Sequence, residues 1–221
     1  MENNKIKLIG ILQGKIDDSR ELDGEKFFDF NLEVKRLSGV SDIVPVTVPE
    51  KLFSSCDLKL KNGMFLEVEG EVRYHNKLVD GKSKLMLFAF AKNLEELSVE
   101  EFAQKENTNS LELKGTICKL PVYRTTPFGK EIADVILAVN RNVSTKSDYL
   151  PLIAWGRNAR YLASLEVGTK IAIEGRVQSR IYEKKTQDEK VEKRVAYEVS
   201  VAKLDNISKL ENAMEEGRDR A

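Results

Sequence analysis

Three aromatic side chains in the second half of the chain lie close to arginines in the sequence. They are Tyr149, Trp155 and Tyr182, and Arg176 and Arg180 precede the last of them at alternate positions. An aromatic ring can stack on the flat face of any nucleobase, which contributes about 1–3 kcal/mol per base whatever the sequence. Nearby arginines bind phosphates and make binding depend on salt. These residue types therefore indicate single-stranded nucleic acid as a ligand.

Alternation of apolar and polar residues assigns these side chains to one side of each predicted strand. In the strand predicted over 149–155, the apolar set is Leu150, Leu152 and Ala154. The other set is expected to point outward and consists of Tyr149, Pro151, Ile153 and Trp155. In the strand predicted over 170–182, the inward set is Ile171, Ile173, Val177 and Ile181. The outward set of that strand is Arg176, Gln178, Arg180 and Tyr182.

Basic residues in predicted loops would extend this surface along a phosphate backbone. They are Arg124, Lys130, Arg141, Arg157, Arg160, Lys184 and Lys185. Two alternatives stay open. The chain has one tryptophan, and a single tryptophan in a small barrel is often a core residue. The pair Lys184-Lys185 also fits a solvated hairpin tip, and the residues expected to pack rather than bind are Tyr123, Tyr161 and Tyr197.

The chain contains an internal repeat. Residues 4–12 read NKIKLIGIL and residues 109–117 read NSLELKGTI, an offset of 105 positions. Further pairs at that offset are Gly24 and Gly129, Val34 and Val139, Arg36 and Arg141, Gly63 and Gly168, and Gly70 and Gly175. The segment DIVP at 42–45 corresponds to DYLP at 148–151, with one extra residue. A fixed offset indicates one structural unit present twice, and about 100 residues per copy suffice for a small core.

Each copy predicts five strands with one helix between the third and the fourth. In the second copy the strands are predicted over 111–120, 132–140, 149–155, 170–182 and 195–203. The residues expected to shape its helix are Asn158 as the cap, Leu162 and Leu165 as the apolar stripe, and Gly168 at the end. The first copy repeats this order, with a helix that starts at Pro49-Glu50 and ends at Gly63.

This order of elements is typical of the OB fold, a small Greek-key β-barrel. An SH3-like barrel or a β-sandwich would leave the helix unexplained in both copies. We predict an all-β chain of two tandem OB-fold barrels, over residues 1–105 and 109–205. A short linker, Glu100 to Thr108, joins them, and a polar tail follows over residues 206–221.

The two copies differ at the outward positions. Where the second copy has Tyr149 and Trp155, the first has Ile43 and Pro49. In place of the outward set of the 170–182 strand, the first copy has Glu71, Arg73, His75 and Lys77. Residues 1–108 hold 16 Lys+Arg and 20 Asp+Glu, a net −4, whereas residues 109–221 hold 20 and 16, a net +4. We therefore expect the second copy, rather than the first, to bind a polyanion, with ordinary surface drift between the duplicates as the alternative explanation of the charge difference.

Three segments of the second copy resemble a known family. They read LKGTICKLPVYRTTPFGKEIADVILAVNR, DYLPLIAWGRNARYLASLEVGTKIAIEGRVQSRIYEKK and AYEVSVAKL. They are similar to the bacterial single-stranded DNA-binding proteins, over Leu111 to Leu204, and they also resemble the primosomal replication protein N. The resemblance implies an OB barrel that binds single-stranded DNA with little sequence specificity, in DNA replication, recombination or repair.

The resemblance also implies roles for single residues. Tyr149 and Tyr182 fall where the family has stacking tryptophans, and Trp155 falls where it has a phenylalanine. Arg124 matches a basic loop position, and Val143 stands where the family has a further stacking tryptophan. The chain ends in GRDRA rather than in the acidic tip with which the family recruits replication and repair enzymes.

Assembly and partners follow from the same resemblance. Family members usually assemble four barrels, which predicts a homodimer for a chain with two barrels, in which the first copy, residues 1–105, serves mainly in assembly. Replication proteins are candidate partners. The alternative function is a primosome-type scaffold, in which both barrels mainly bind protein and DNA binding is incidental.

Motifs for catalysis and cofactors are missing from the sequence. The single histidine, His75, has no partner to orient it, and Cys56 and Cys118 make no metal site of usual spacing. Neither a P-loop nor a dinucleotide fingerprint is present, and an OB-type nuclease would need a carboxylate and arginine cluster. We predict no enzymatic activity, cofactor or metal. The start MENNKIKL lacks a signal-peptide core and no apolar run reaches about 20 residues, so we expect a cytoplasmic, nucleoid-associated protein that does not bind membranes.

Overall fold

The computed structural model describes residues 3–22, 24–55, 59–79, 82–141, 145–185 and 191–208. The elements of the first copy are β1 (Asn4–Leu22), β2 (Glu25–Lys35), β3 (Ser41–Pro49), α1 (Glu50–Ser55), β4 (Phe65–Val79) and β5 (Lys82–Glu96). The predicted order of five strands with a helix after the third is confirmed. It arises because short alternating segments form half-buried strands.

A short helix and then the second copy follow. Helix α2 (Val99–Ala103) lies in the segment expected to be a linker, and a capping box between Ser98 and Glu101 starts it. The elements of the second copy are β6 (Asn109–Ile117), β7 (Val122–Thr125), β8 (Glu131–Asn140), β9 (Ser147–Trp155), α3 (Gly156–Ala163), β10 (Lys170–Lys185) and β11 (Val191–Asn206). Strand β7 was not predicted, because all of its side chains are exposed and no alternation reveals it.

Helix α3 differs from its prediction at both ends. It begins at Gly156, so Asn158 lies inside its first turn. The side-chain amide of Asn158 does not cap the helix but donates to the carbonyl of Ala202 at 3.0 Å. Gly168 lies beyond the helix, in the turn before β10, with φ +93°. Across the described residues, no helix combines the length and the apolar character that a membrane crossing requires.

Residue contacts divide the chain into two compact units, whose boundaries differ from those of the repeat at the start of the chain and in β10 and β11. The C-terminal unit comprises Met1–Asn4, Leu111–Arg176 and Val199–Ala221, and the N-terminal unit comprises Lys5–Ser110 and Val177–Glu198. The outer parts of β10 and β11 therefore group by contact with the first copy, although their sequence belongs to the second. The polar tail predicted after residue 205 lies outside the described residues from position 209 onward.

Each unit has its own core, and the same alternation builds both. Antiparallel pairing of β2 with β3 buries Val44, Val46 and Val48. The equivalent pairing of β8 with β9 buries Leu150 and Leu152. Successive residues of a strand point to opposite sides, so the residues between these apolar ones point out of each barrel.

Two equivalent glycines mark points where strands come too close for a side chain. A Cβ atom on Gly70 would overlap the carbonyl oxygen of Phe90, and one on Gly175 would overlap the carbonyl oxygen of Ser200. Glycine inside a strand often marks such a close approach. The repeat therefore keeps glycine at these positions for backbone packing.

An arginine–aspartate pair joins the second and third strands in both copies. Arg36 donates from Nε and Nη2 to the carboxylate of Asp42, both at 2.6 Å. Arg141 does the same to Asp148, at 2.8 and 2.7 Å. Both aspartates are buried, and two parallel charge-assisted bonds fix geometry better than one.

In the N-terminal unit, Asp42 also holds Ser179 of β10. The carboxylate accepts from the Ser179 backbone N–H at 2.7 Å and from its hydroxyl at 2.9 Å. Arg36 donates to the carbonyl of Ser179 at 3.1 Å. Burial raises the pKa of Asp42, but the bonds from Arg36 and Ser179 together outweigh it and hold that pKa below its usual value.

Replacing Asp42 by alanine is expected to destabilise the protein strongly. The change leaves the arginine and the Ser179 backbone N–H without their acceptor, and removing one partner of a buried pair costs about 3–5 kcal/mol. We expect the lower end, because the Arg36 side chain keeps 24% of its exposure. Urea unfolding measures this loss of unfolding free energy.

Asp205→Ala, at an exposed position of β11, serves as the control and should change the unfolding free energy by about 0.5 kcal/mol or less. An equal effect of the two variants would contradict the role of the pair.

Acid should weaken the fold through Asp42 and Glu71. Burial raises the pKa of Glu71, but bonds from Lys92 and Arg73 outweigh it, so its pKa is lowered as well. A carboxyl with a lower pKa in the folded state stabilises fully above its unfolded value, here 3.8 to 4.5, and less as pH falls through the folded pKa. Unfolding free energy measured from pH 6 downward should therefore decrease below about pH 4.5. Glu71→Gln should reduce this decrease, and an unchanged pH profile in that variant would count against it.

Candidate nucleic-acid interface

Strands β7, β8 and β9 form an antiparallel sheet in the C-terminal unit. Their register places Arg124, Ile132 and Trp155 side by side in one row. Toward the other end of the sheet, Ala138 lies beside Tyr149. Residues two apart on a strand point to the same side of the sheet. The two rows, and every second residue between them on each strand, therefore lie on one surface. We call this surface the outer face.

Two predicted aromatic residues are exposed on the outer face. Tyr149 is 56% exposed and Trp155 is 42% exposed, whereas Leu150, Leu152 and Ala154 are buried. The two aromatics are six positions apart on β9, about 20 Å at 3.3 Å per residue. The predicted alternation is confirmed at these positions, and the alternative of Trp155 as a core residue is wrong.

One member of the predicted outward set is not exposed. Ile153 has the same parity as Tyr149 and Trp155 but is buried. It pairs with Asp134 of β8 on one side and with Ser200 of β11 on the other. Because it has a strand on both sides, neighbouring side chains cover it. On β9 the outer face is therefore exposed at Tyr149 and Trp155 and covered at Ile153, and Ile132 beside Trp155 on β8 is buried as well.

Arg124 lies on the outer face at the end that carries Trp155. Its Nε donates to Asp134 Oδ2 at 2.9 Å, and both side chains are exposed. A guanidinium has five N–H donors, so this bond occupies only part of its donor capacity. Asp134 therefore offsets part of the positive charge that Arg124 brings to the outer face.

Four other predicted basic residues are exposed in the C-terminal unit, and they are Lys130, Arg157, Arg160 and Arg176. Arg160 forms an ion pair with Glu131, and its Nε lies 3.2 Å from Glu131 Oε2. Glu131 also accepts a hydrogen bond from the hydroxyl of Tyr123 at 2.5 Å. Tyr123 alternates with Arg124 on β7, so it lies on the opposite side from the outer face. Tyr123 was expected to pack rather than to bind, and the structure shows it 41% exposed with its hydroxyl bonded to Glu131.

Arg141 was predicted to extend the basic track, and the structure places it in an ion pair with Asp148. Its guanidinium makes two bonds to Asp148, whose side chain is buried. Moving it toward a phosphate would leave that carboxylate buried without its cation, which is unfavourable. The repeat carried the signal, since Arg36 and Asp42 stand at the equivalent positions.

The outward set of β10 is placed less uniformly than predicted. Gln178 is buried, and its amide donates to Glu198 at 2.9 Å. The Nε of Arg180 lies 3.6 Å from the same carboxylate, and its Cζ lies 5.7 Å from the centre of the Tyr182 ring, a cation–π distance. Ile181 was expected to point inward but is 71% exposed.

The reason lies in the length of β10, which continues to Lys185. Alternation predicts burial only where a core covers one side of a strand, and neither side is covered at Ile181. The residues 177–198, which include Arg180 and Tyr182, belong to the N-terminal unit. The side chains of Lys184 and Lys185, and the whole of Val143, lie outside what the structure describes.

The equivalent face of the first copy also carries aromatic rings, which the sequence comparison did not predict. Phe27 pairs with Pro49, and Phe90 pairs with Thr47, so both share the outward parity. Their ring centroids lie 6.2 Å apart, and the Arg73 guanidinium lies 3.6 Å from the Phe90 centroid. The two phenylalanines stand at other positions than the second copy's aromatics, so position-by-position comparison missed them.

One exposed aromatic of the second copy was not singled out from the sequence. Phe128 lies in the turn between β7 and β8 and is 91% exposed. The signal was the segment TPFG at 126–129, because proline followed two residues later by glycine is typical of a tight turn. A side chain in such a turn points into solvent.

The described residues also contain no cluster of three or more His, Cys, Asp or Glu side chains that would bind a metal ion.

Fold and face together define the class of the protein. Both copies are OB-fold barrels, and in this class the face of strands two and three and the adjacent loops bind oligonucleotides or oligosaccharides. In the second copy these strands are β8 and β9. Residues 108–207 match the model of the single-strand binding protein family. The second copy is therefore similar to the single-strand binding protein family, over slightly less than half of the chain.

Proteins of similar sequence agree with this resemblance. Single-stranded DNA-binding protein A of Bacillus subtilis (strain 168) is 36% identical over 81 residues, covering 34% of this chain and 47% of that protein. The single-stranded DNA-binding protein of Clostridium tetani (strain Massachusetts / E88) is 35% identical over 83 residues, covering 35% of this chain and 57% of that protein. The chain thus spans about half the length of these curated relatives.

A solved structure resembles both copies together. The wild-type single-stranded DNA binding protein from Thermus aquaticus aligns with a TM-score of 0.71 and 23% identity, covering 92% of each chain. At this identity the likeness concerns the fold. It agrees with two consecutive barrels, since nearly the whole chain is matched.

Proposed function

We propose that the chain binds single-stranded DNA with little sequence specificity, in DNA replication, recombination or repair. The observation that carries this proposal is the exposure of Tyr149 and Trp155 on one face of the second barrel. Buried aromatics would serve the core, whereas exposed rings on strands two and three of an OB fold are available to bases. The similar proteins, which are named single-stranded DNA-binding proteins, support the same ligand.

The outer face is better suited to stacking on bases than to recognising their sequence. Each ring offers a flat surface that every base can use, so the sequence of the DNA matters little. The two aromatics stand about 20 Å apart, which leaves room for further nucleotides between them. Arg124, Lys130 and Arg157 are the exposed cations of this unit that we assign to phosphates.

Residues outside the outer face are assigned a second contribution. Arg180 and Tyr182 combine a cation and a ring, and Arg176 is exposed. We infer that these residues, together with Lys184 and Lys185, bind a further stretch of the strand. Gln178 and Arg141 are left out of the proposed site, because Glu198 and Asp148 hold them.

Titration with oligothymidine should quench the fluorescence of Trp155, the chain's one tryptophan. Tyr149→Ala keeps this reporter and should weaken binding by about 1–3 kcal/mol, because one stacking ring is lost. The affinity should fall as salt rises, because phosphate contacts release counterions.

Tyr123→Ala is the matched control, since it removes an exposed tyrosine from the other side of β7. It should leave the affinity unchanged. No quench and no binding by the wild type would sink the proposal. An equal loss in both tyrosine variants would contradict the assignment to the outer face.

We further infer that two chains associate, so that four barrels act together. The inference rests on family resemblance and on the presence of two barrels in one chain. Sedimentation equilibrium at micromolar concentration should give a mass near twice 25.1 kDa, and a monomer would contradict it.

A Tyr149→Ala, Trp155→Ala double variant distinguishes DNA binding from the scaffold alternative. Lost assembly with intact DNA binding would favour a scaffold, and lost DNA binding with intact assembly would favour the proposed function.

A further inference from the structure

Phe128 stands at the tip of the hairpin that β7 and β8 form. Two backbone hydrogen bonds define the conformation of this tip. The Gly129 N–H donates to the Thr126 carbonyl at 2.9 Å, and the Thr126 N–H donates to the Lys130 carbonyl at 2.8 Å. Gly129 has φ +75°. This is a three-residue hairpin loop, a type I turn followed by a left-handed glycine, and Pro127 suits its first turn position.

The turn does not need a phenylalanine. The hairpin of β2 and β3 closes with the same two backbone bonds, from Gly39 to Arg36 and between Arg36 and Val40. Its tip carries Leu37 and a serine. At the position equivalent to Phe128, the first copy has Asp23, also directly before a glycine with positive φ. The ring at position 128 is therefore free to vary without loss of the turn.

The ring also contributes little to folding. It keeps 91% of its exposure, so almost none of the free energy of burying a phenylalanine is gained. A single exposed ring is too small for a protein interface, which needs about 800 Å² per partner. One aromatic ring, in contrast, is large enough to stack on a nucleobase.

The hairpin tip that carries Phe128 continues from the end of the sheet where Arg124 and Trp155 lie. Arg124 and Trp155 lie in one row of the sheet, and the tip begins three residues further along the hairpin, about 10 Å away. Lys130 lies in the same loop and is exposed. A strand that stacks on Trp155 and continues toward the tip would meet a ring beside a cation.

We propose that Phe128 stacks on a nucleobase and so makes the tip of the β7–β8 hairpin a third stacking point of the second barrel. This inference rests on the proposed binding of single-stranded DNA and names a residue that neither the sequence pattern nor the family resemblance assigns. The ligand is a base of the same strand that the outer face holds.

Fluorescence anisotropy of a labelled oligothymidine tests the inference on the full chain. Phe128→Ala should weaken binding roughly 5- to 150-fold, the range for one lost base stack, while the slope of log affinity against log salt stays unchanged. Phe128→Tyr should retain the affinity. Leu37→Ala is the matched control, since it truncates a 98% exposed apolar side chain on an equivalent turn.

The outcomes separate the two proposals. Wild-type affinity in Phe128→Ala, measured beside a binding wild type, would overturn this inference and leave the proposed function standing. Wild type that binds no oligothymidine would overturn both. Unchanged DNA affinity with lost self-association in Phe128→Ala would show that the ring contacts a second copy, which would also overturn it. A Trp155→Phe, Phe128→Trp variant gives a positive signal, because its fluorescence should be quenched by oligothymidine.

Discussion

The register between β8 and β9 is the constraint on which the candidate interface depends, and the Arg141–Asp148 pair holds it. The two bonds join a residue that follows β8 to a residue of β9. Because side chains alternate along a strand, a slip of one residue would turn Tyr149 and Trp155 inward and the leucines outward. A planar guanidinium on a buried carboxylate tolerates little displacement, so the pair fixes which residues face solvent.

The fold could be predicted from the sequence wherever a core covers one side of a strand. Leu150 and Leu152 are buried, and Tyr149 and Trp155 are not, as alternation required. The same rule failed at Ile181 and did not reveal β7, because no core lies behind either segment. Alternation measures the contrast between a covered and an uncovered side, and it carries no information where both sides are open.

The candidate site was harder to predict because a residue type does not reveal its partner. Gln178 and Arg141 have the chemistry of DNA contacts, but buried carboxylates occupy them. Comparison of the copies at equal positions also overlooked Phe27 and Phe90, which reach the equivalent face of the first barrel from other strand positions. A face is a property of neighbouring strands, whereas an alignment compares one position at a time.

The two copies show which parts of the barrel are free to change. The close approach at Gly70 and Gly175 leaves no room for a side chain, so both copies must keep glycine there. At position 128 the second copy has phenylalanine where the first copy has Asp23 in the sequence, and the turn around Phe128 depends on the following glycine rather than on the ring. Exposed positions on a fixed register can therefore exchange one side chain for another at little cost in stability. Duplication of such a barrel allows the ligand surface of one copy to diverge while its strands stay in place.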